Sequence, residues 1–394
     1  MPHRRTAILC LVALAAAACG PSPILGIDWG RAPSVERPVN YDATLPPSDD
    51  PDHPILRIPG QAYMVDVATM PEGGDVAVGY IPPAWTPASW TSPDAATWTL
   101  HSMAATPFTF PVAVAAGGSA PRIVAVGRSG KLPIAWTSSE GASWQAHDVP
   151  ILGTDGTAER MTSVVGTEQG FIAGGSVGPE LAERHARFWR SDDGVTWQPV
   201  PDDPQAFDNA EVRAITSTAN GFVAVGVVGT AQQASGAVAW TSSDGNHWTR
   251  IDDPAFAGGV AVSVIVAPFG GLVAVGSDVA RHNAMAWTSP DGHAWTRAPD
   301  EPSRQYANEF IWMTDVTAIG DQVLAVGEFQ GLQRGTATSW ISKDGLHWEQ
   351  AKVAPVQEQG EFYAVVPGGP GVIAVGSYGA PDSYVPTVWV SPGR

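Results

Sequence analysis

A short apolar pattern, Val-Ala-Val-Gly in its most regular form, recurs seven times along the 394 residues of this chain. A repeat at a fixed period decides the architecture, because each copy must be one structural unit that buries its apolar face against its neighbours. The copies follow at intervals of 48 to 51 residues, and each is followed by an aromatic strand with a central tryptophan. The glycines are Gly79, Gly127, Gly175, Gly226, Gly276, Gly327 and Gly376, and the tryptophans are Trp90, Trp136, Trp189, Trp240, Trp287, Trp340 and Trp389.

Each repeat contains four short strands. In the fifth repeat these are an apolar strand at 262–265, a strand at 272–276 after a Gly-Gly turn, a strand around Trp287 and a last strand from Trp295. Four antiparallel strands in 45 to 50 residues are the signature of one blade of a β-propeller. No stretch has a helical period over ten or more residues. The sequence therefore predicts an all-β, seven-bladed β-propeller with four antiparallel strands per blade.

Tryptophan is concentrated at two positions of the repeat. Of the 16 tryptophans, 13 lie there, seven on the third strand and six at the start of the fourth. Large flat rings at one phase of a repeat are typical of a core that wedges neighbouring blades together. The second set is Trp98, Trp144, Trp197, Trp248, Trp295 and Trp348.

The last repeat has no fourth strand of its own, because the chain stops shortly after the strand of Trp389. A three-stranded blade would expose an edge, which closed propellers avoid. The segment Pro54–Ile58 precedes the first inner strand, where other repeats place a fourth strand. We expect residues 54–58 to complete the seventh blade and close the ring.

The N-terminus has the pattern of an export signal. Arg4 and Arg5 precede an apolar run from Ala7 to Ala18 that is too short for a comfortable membrane span and ends in small residues. The segment Leu14 to Gly20 resembles a bacterial lipobox, although Ala16 replaces the usual leucine. The resemblance implies that Cys19 becomes the lipidated first residue, and the alternative is an ordinary secretory signal. We divide the chain into a lipoprotein signal peptide at 1–18, a Pro-rich tether at 19–53 and a propeller at 54–394.

Charge restricts the partners of the mature chain. Without Arg4 and Arg5 it holds 19 of the 21 basic residues and all 39 acidic ones, a net charge of −20. Nucleic acid and anionic lipid both require a basic footprint, so neither is expected as a partner. We expect a monomer in the cell envelope that faces away from the cytoplasm and touches the membrane only through its N-terminal lipid.

The turn between the third and fourth strands has a recurrent form, as in Ser242-Ser-Asp244-Gly245-Asn-His-Trp248. These box turns resemble the Asp-box, or BNR, repeat of sialidases, sortilin-type receptors and the photosystem II assembly propeller, although the spacing from Asp to Trp is one residue shorter than in the common sialidase form. The carboxylate can accept backbone N–H bonds, and the glycine supplies a positive φ. We expect a structural role for Asp94, Asp193, Asp244, Asp291 and Asp344.

The same resemblance raises the alternative of a sialidase-like glycoside hydrolase. Arg57-Ile58-Pro59 looks like the Arg-Ile-Pro motif of those enzymes. The motif there opens an inner strand, whereas Arg57 is expected here on the outermost strand of blade 7. That chemistry also needs three convergent arginines and a Tyr–Glu nucleophile pair, for which the sequence offers no clear candidates.

We therefore expect a non-catalytic binding or assembly module for a protein or glycan ligand. Its face would be formed by the loops that join the second to the third strand and each blade to the next, where Arg and Tyr are suitable anchors. The candidates are Arg184, His185, Arg187, Arg281, His282, Tyr306, Glu328, Arg334, Tyr378 and Tyr384. Asp66 and Asp315 are candidate channel residues, expected to bond to an adjacent blade or to water, with a ligand role as the alternative. No cofactor or metal is expected, because no zinc spacing, phosphate loop or nucleotide fingerprint is present.

Replacement of Cys19 by Ser tests the anchor. If Cys19 carries lipid, the Cys19→Ser variant should leave the membrane fraction of its native host and appear in the soluble fraction. The measurement is fractionation followed by immunoblotting. Continued membrane association of the variant would contradict the lipidation prediction.

Overall fold

Seven blades, each with four antiparallel strands, follow one another around a central channel; six repeats supply all four strands of their blade, and the last supplies three. This arrangement confirms the prediction of a seven-bladed β-propeller. The computed structural model describes residues 27–38, 60–118, 122–151, 157–178, 184–230, 233–301, 304–305, 309–330, 335–351, 360–379 and 384–392. No helix within these ranges is long and apolar enough to cross a membrane.

The strands of the first half begin with two short N-terminal strands and continue blade by blade, each blade from the channel outwards. They are β1 (Gly30–Arg31) and β2 (Ser34–Val35); blade 1, β3 (Tyr63–Thr69), β4 (Asp75–Ile81), β5 (Thr86–Ser92) and β6 (Thr97–Ser102); blade 2, β7 (Thr109–Gly117), β8 (Arg122–Ser129), β9 (Leu132–Ser138) and β10 (Gln145–Asp148); and blade 3, β11 (Ala158–Thr167), β12 (Gly170–Gly178), β13 (His185–Ser191) and β14 (Gln198–Pro199).

The second half has the same order and includes two short helical turns. The elements are α1 (Pro204–Phe207); blade 4, β15 (Ala210–Thr218), β16 (Gly221–Thr230), β17 (Gln233–Ser242) and β18 (Thr249–Ile251); a 3₁₀ turn (Pro254–Phe256); blade 5, β19 (Gly259–Val266), β20 (Leu272–Asp278), β21 (Ala284–Ser289) and β22 (Thr296–Arg297); blade 6, β23 (Phe310–Ile319), β24 (Gln322–Gln330), β25 (Gly335–Ser342) and β26 (Glu349–Gln350); and blade 7, β27 (Gly360–Gly368), β28 (Gly371–Tyr378) and β29 (Val385–Ser391).

The tryptophans lie between blades, as the repeat predicted. Six of the seven third-strand tryptophans are completely buried and Trp389 is 8% exposed. Between blades 3 and 4, Phe188 stacks on Trp248 with ring centroids 3.9 Å apart, and Trp240 meets Phe188 edge-on. Each blade therefore completes its core only against the next blade.

The box turns close on themselves through hydrogen bonds. Asp244 Oδ1 accepts the backbone N–H groups of Asn246 and His247 at 2.8 and 2.9 Å, and Trp248 Nε1 donates to the carbonyl of Gly245. The bonds from His247 and Asn246 hold the pKa of Asp244 well below its ordinary value. Gly245 has a φ of +74°, and a Cβ there would lie 2.6 Å from Ile172 of the preceding blade. The turn thus needs glycine both for its conformation and for its close approach to blade 3.

The ring is closed by a different N-terminal segment from the one predicted. Strand β1 pairs antiparallel with β29, with Gly30 opposite Val390 and Arg31 opposite Trp389, and supplies the fourth strand of blade 7. Closure by an N-terminal strand is confirmed, but the assignment of that strand to residues 54–58 was wrong. The prediction that residues 27–38 belong to an unstructured tether was also wrong, because β1 and β2 lie there. Residues 54–58, Arg57 among them, and Cys19 lie outside the described residues.

Burial of one aromatic ring explains why the closing strand lies at 30–31. Trp29 is 4% exposed between blades 6 and 7, where its ring lies 5.1 Å from that of Phe362 and its Nε1 donates to Ser339 Oγ at 3.0 Å. Strand β2 then adds in parallel to the outer strand of blade 1. The Pro-rich composition of this segment as a whole gave no indication that Trp29 is buried.

We expect Trp29→Ala to lower the free energy of unfolding by about 3 to 5 kcal/mol, because it removes a large buried ring and the bond to Ser339. Denaturant unfolding followed by tryptophan fluorescence measures the change. Asp28→Ala is the matched control, because that side chain is exposed and the neighbouring bond to Ser391 comes from its backbone. Equal stability of the two variants would contradict this account of closure.

Candidate functional site

The two faces of the propeller are chemically different. The box face holds the box turns and the turns between first and second strands. The loop face holds the turns between second and third strands and the connections between blades. The central channel contains a cavity of about 350 Å³ with Asp66, Arg213, Asp315 and Tyr363 in its wall.

Asp66 and Asp315 fasten neighbouring blades together inside this channel. Every inner strand has a bulge at the same repeat position. After the bulges of blades 2 and 7, the N–H of Val114 donates to Asp66 at 2.7 Å and that of Val365 donates to Asp315 at 2.8 Å. Ser263 of blade 5 also donates to Asp315 at 2.6 Å. The expected bonds to adjacent blades are therefore present.

Burial affects the protonation of both channel acids. It raises the pKa of Asp66 to about 8, against the opposing effect of the Val114 N–H, and the charge of Asp315 contributes in the same direction. Burial raises the pKa of Asp315 to about 6, opposed by its bond from Ser263. Two acids on one channel wall thus differ in the pH at which they ionise.

A cluster of acids and tyrosines lies at the loop-face end of blades 6 and 7. Tyr363 Oη donates to Glu361, and Tyr384 Oη donates to Glu361 Oε1 at 3.1 Å. Burial and the charge of Glu361 raise the pKa of Tyr363, which keeps the phenol neutral. Glu328 is 5% exposed, and burial, followed by the charge of Glu361, raises its pKa to about 8, with Arg281 opposing.

Five half-buried rings form a continuous group that begins with Tyr384 of this cluster and extends over blades 1 and 2 with four more. Tyr63 stacks on Trp85 with centroids 6.4 Å apart and lies 6.1 Å from Tyr384, while Tyr80 lies 5.2 Å from Phe110. We call these five residues the aromatic group. The guanidinium of Arg128 lies 4.3 Å above the Phe110 ring. Trp85 has a φ of +53°, a left-handed conformation that costs a non-glycine residue about 1 kcal/mol or more.

The candidate arginines of blade 3 lie in ion pairs. Arg184 contacts Glu211, and both side chains are almost fully buried. Arg187 Nη1 donates to Asp202 at 2.7 Å. The ring of His185 lies between two carboxylates, with Nε2 2.6 Å from Asp202 and Nδ1 2.6 Å from Asp208. These contacts hold the connection between blades 3 and 4 against β13.

Other candidates make ring contacts on the rim, and of these Arg281 is near enough to Glu328 for its charge to lower the pKa of that group. His282 stacks on Phe310 at 5.2 Å, and Arg281 lies over the Trp312 ring at 5.1 Å. The Tyr378 ring lies under the guanidinium of Arg31 at 3.7 Å. Tyr306 and Arg334 lie outside the described residues. Of the candidates, the structure therefore brings Glu328 and Tyr384 together around Glu361, with Arg281 close enough to Glu328 to affect its pKa.

Several residues of this site were missed in the sequence. Glu361 and Tyr363 stand near the start of the inner strand of blade 7, and Tyr63 and Tyr80 stand at strand ends of blade 1. A search for aromatic and acidic residues at the loop-face ends of strands could have found them. Among the residues that the structure describes, no group of three or more His, Cys, Asp or Glu is placed to hold a metal ion.

Comparison with known proteins shows likeness in fold. No family model and no curated protein matches the chain. Among solved structures, Trypanosoma rangeli sialidase is 13% identical with a TM-score of 0.52, and its complex with sialic acid gives 13% and 0.50; 92% of this chain covers 59% of each. A thermostable family-43 glycoside hydrolase is 12% identical with a TM-score of 0.34, over 61% of this chain and 90% of that one.

The likeness above a TM-score of 0.5 is to the sialidase, of which this chain spans less than two thirds. At these identities the likeness shows the propeller fold and leaves the chemistry to the residues of the site itself.

The raised pKa of Glu328 predicts a dependence of stability on pH. The folded state retains its proton from the ordinary glutamate pKa up to about 8, so this group stabilises the fold at low pH and the contribution falls as pH rises through that window. Glu328→Gln does not ionise. We compare the free energy of unfolding of this variant with that of the wild type at two pH values. The difference, variant minus wild type, should be about 1 to 3 kcal/mol larger at pH 8.5 than at pH 4.5.

Chemical denaturation of both proteins at the two pH values measures this difference. Exposed Glu72→Gln is the control, because it lies in a box-face turn and should behave like the wild type. A stability difference between Glu328→Gln and wild type that is independent of pH would contradict the prediction.

Proposed function

We propose that this chain is an exported, lipid-anchored propeller that binds a glycan at the loop-face end of its channel without catalysing a reaction. The observation that carries the proposal is the aromatic group beside the Glu361 cluster. Small-molecule sites combine apolar, often aromatic walls with a few polar groups that fix orientation. Sugar rings have apolar faces that can stack on aromatic rings, and their hydroxyls can bond to Glu361 and to the hydroxyl of Tyr384.

The strained backbone of Trp85 supports a functional role for the aromatic group. A left-handed conformation at a bulky residue persists only where surrounding structure holds it, and such residues cluster at binding and active sites. Trp85 lies between the second and third strands of blade 1, and its ring centroid is 6.4 Å from that of Tyr63 and 5.6 Å from that of Tyr80. Its ring is half-buried, so one part packs and another part is available to a ligand.

Hydrolysis of a glycosidic bond is the second candidate, and the bond between Tyr363 and Glu361 favours it. The resemblance to sialidases implies a Tyr nucleophile activated by Glu, and this pair has that composition. Arg160, Arg184 and Arg213 lie near one another around Glu211 and are the candidates for the three arginines that such chemistry also needs. Arg184 is already buried against Glu211, which also lies 3.5 Å from Arg213, and this neutralisation favours the non-catalytic proposal.

Binding of neutral and sialylated oligosaccharides on a glycan array tests the proposal. We expect Trp85→Ala to weaken binding about tenfold or more, equivalent to about 1.4 kcal/mol. Phe310→Ala is the matched control, because Phe310 is an exposed aromatic residue of the loop face that stacks on His282, away from the aromatic group. Absence of glycan binding, or equal losses in the two variants, would contradict the proposal.

Tyr363→Phe separates the two candidates. The variant keeps the ring and removes the hydroxyl that bonds to Glu361. A glycan-binding module should lose little affinity and release no sugar before or after the change. Release of a fluorophore from an aryl sialoside by the wild type, abolished in Tyr363→Phe, would instead establish hydrolysis.

A further inference from the structure

The closing strand determines where the N-terminus enters the propeller. Strand β29 runs from the loop face to the box face, because Val385 follows the turn between second and third strands and Ser391 begins the last box turn. Strand β1 is antiparallel to it and therefore runs from the box face towards the loop face. The backbone N–H of Asp28 donates to Ser391 Oγ at 2.9 Å, which places the start of the segment at the box-face end.

This entry point is held firmly. Ile27 and Trp29 are each 4% exposed and belong to the core between blades 6 and 7. The Nε1 of Trp29 bonds to Ser339 of blade 6, while Gly30 and Arg31 pair with blade 7. Residue 27 therefore cannot move away from the box face unless the ring opens.

The length of chain between the predicted lipid and this entry point is short. Residues 20–26 separate Cys19 from Ile27, and the eight steps between these two residues reach at most about 29 Å when fully extended. A strand of seven to ten residues, the usual length of the inner strands, is itself about 23 to 33 Å long. A leash of this length would be almost fully extended in climbing the side of the propeller and would have little length left to cover the loop face.

We propose that the lipid at Cys19 holds the box face towards the membrane and directs the loop face, with the aromatic group, away from it. The inference rests on the lipid anchor of the proposed function and not on the identity of the ligand. The membrane-facing partner is a lipid surface that the protein meets through its covalent anchor. The box face has no need of affinity for lipid, and its exposed Asp carboxylates do not favour anionic headgroups.

Two ends of one strand provide matched reporter positions. Strand β9 is flanked by Lys131 on the loop face and by Ser139 on the box face, and both residues are exposed. Cys10 and Cys19 are the two cysteines of the chain. With Cys10 in the predicted signal and Cys19 lipidated, Lys131→Cys and Ser139→Cys would each introduce a single free thiol.

The lipidated full-length variants, labelled with a donor fluorophore, are reconstituted on phosphatidylcholine vesicles with a headgroup-labelled acceptor lipid. We expect energy transfer from position 139 to exceed that from position 131 by about twofold or more, because the positions are about 25 Å apart along the strand. Equal transfer, or greater transfer from position 131, would overturn the proposed orientation.

Two further variants test the cause. Insertion of about 30 Gly/Ser residues within 20–26 should make the two signals equal, because a flexible linker of that length spans about 30 Å on average and more when stretched. A difference that survives the insertion would show that the leash does not set the orientation. A Cys19→Ser variant that still binds vesicles would overturn the anchor itself, whereas glycan binding on the array is independent of both results.

Discussion

The burial of tryptophan between adjacent blades is the interaction on which the rest of this structure depends. A four-stranded blade cannot cover its own apolar face, and the rings of Trp240 and Trp248 are buried by packing against Phe188 of the preceding blade. The requirement is the same in each repeat, so a stable molecule results only when the last blade meets the first. The box turns serve this interaction, because Gly245 lets the turn approach Ile172 of the neighbouring blade.

Closure of the ring follows from the same requirement. The last repeat supplies no fourth strand for blade 7. The core between blades 6 and 7 also includes the ring of Trp29, which comes from the N-terminal segment. Strands β1 and β2 then connect blade 7 to the outer edge of blade 1, so that one short segment joins three blades. The free energy of closure thus depends on contacts between residues more than 300 positions apart in sequence.

The channel shows how a repeated framework can carry residues that do not repeat. Every inner strand bulges at one position, and in blades 2 and 7 the amide after the bulge is bound by an acid from the preceding blade. At the loop face the constraint on each blade is weaker, because the connections are irregular. Aromatic residues of blades 1 and 2 can therefore gather beside the acids of blades 6 and 7 without disturbing the cores below.

The sequence by itself determined the number of blades, the four strands in each and the buried positions of the tryptophans, because these depend on local patterns that recur at a fixed period. It also indicated that an N-terminal segment must close the ring. Only the tertiary structure decided that this segment contains Trp29 and not Pro54–Ile58, since the choice depends on how Trp29 packs between blades 6 and 7. The grouping of Tyr63, Trp85, Glu361 and Tyr384 was likewise decided by the tertiary structure, because ring closure brings the ends of the chain together and no periodicity records which loop residues then become neighbours.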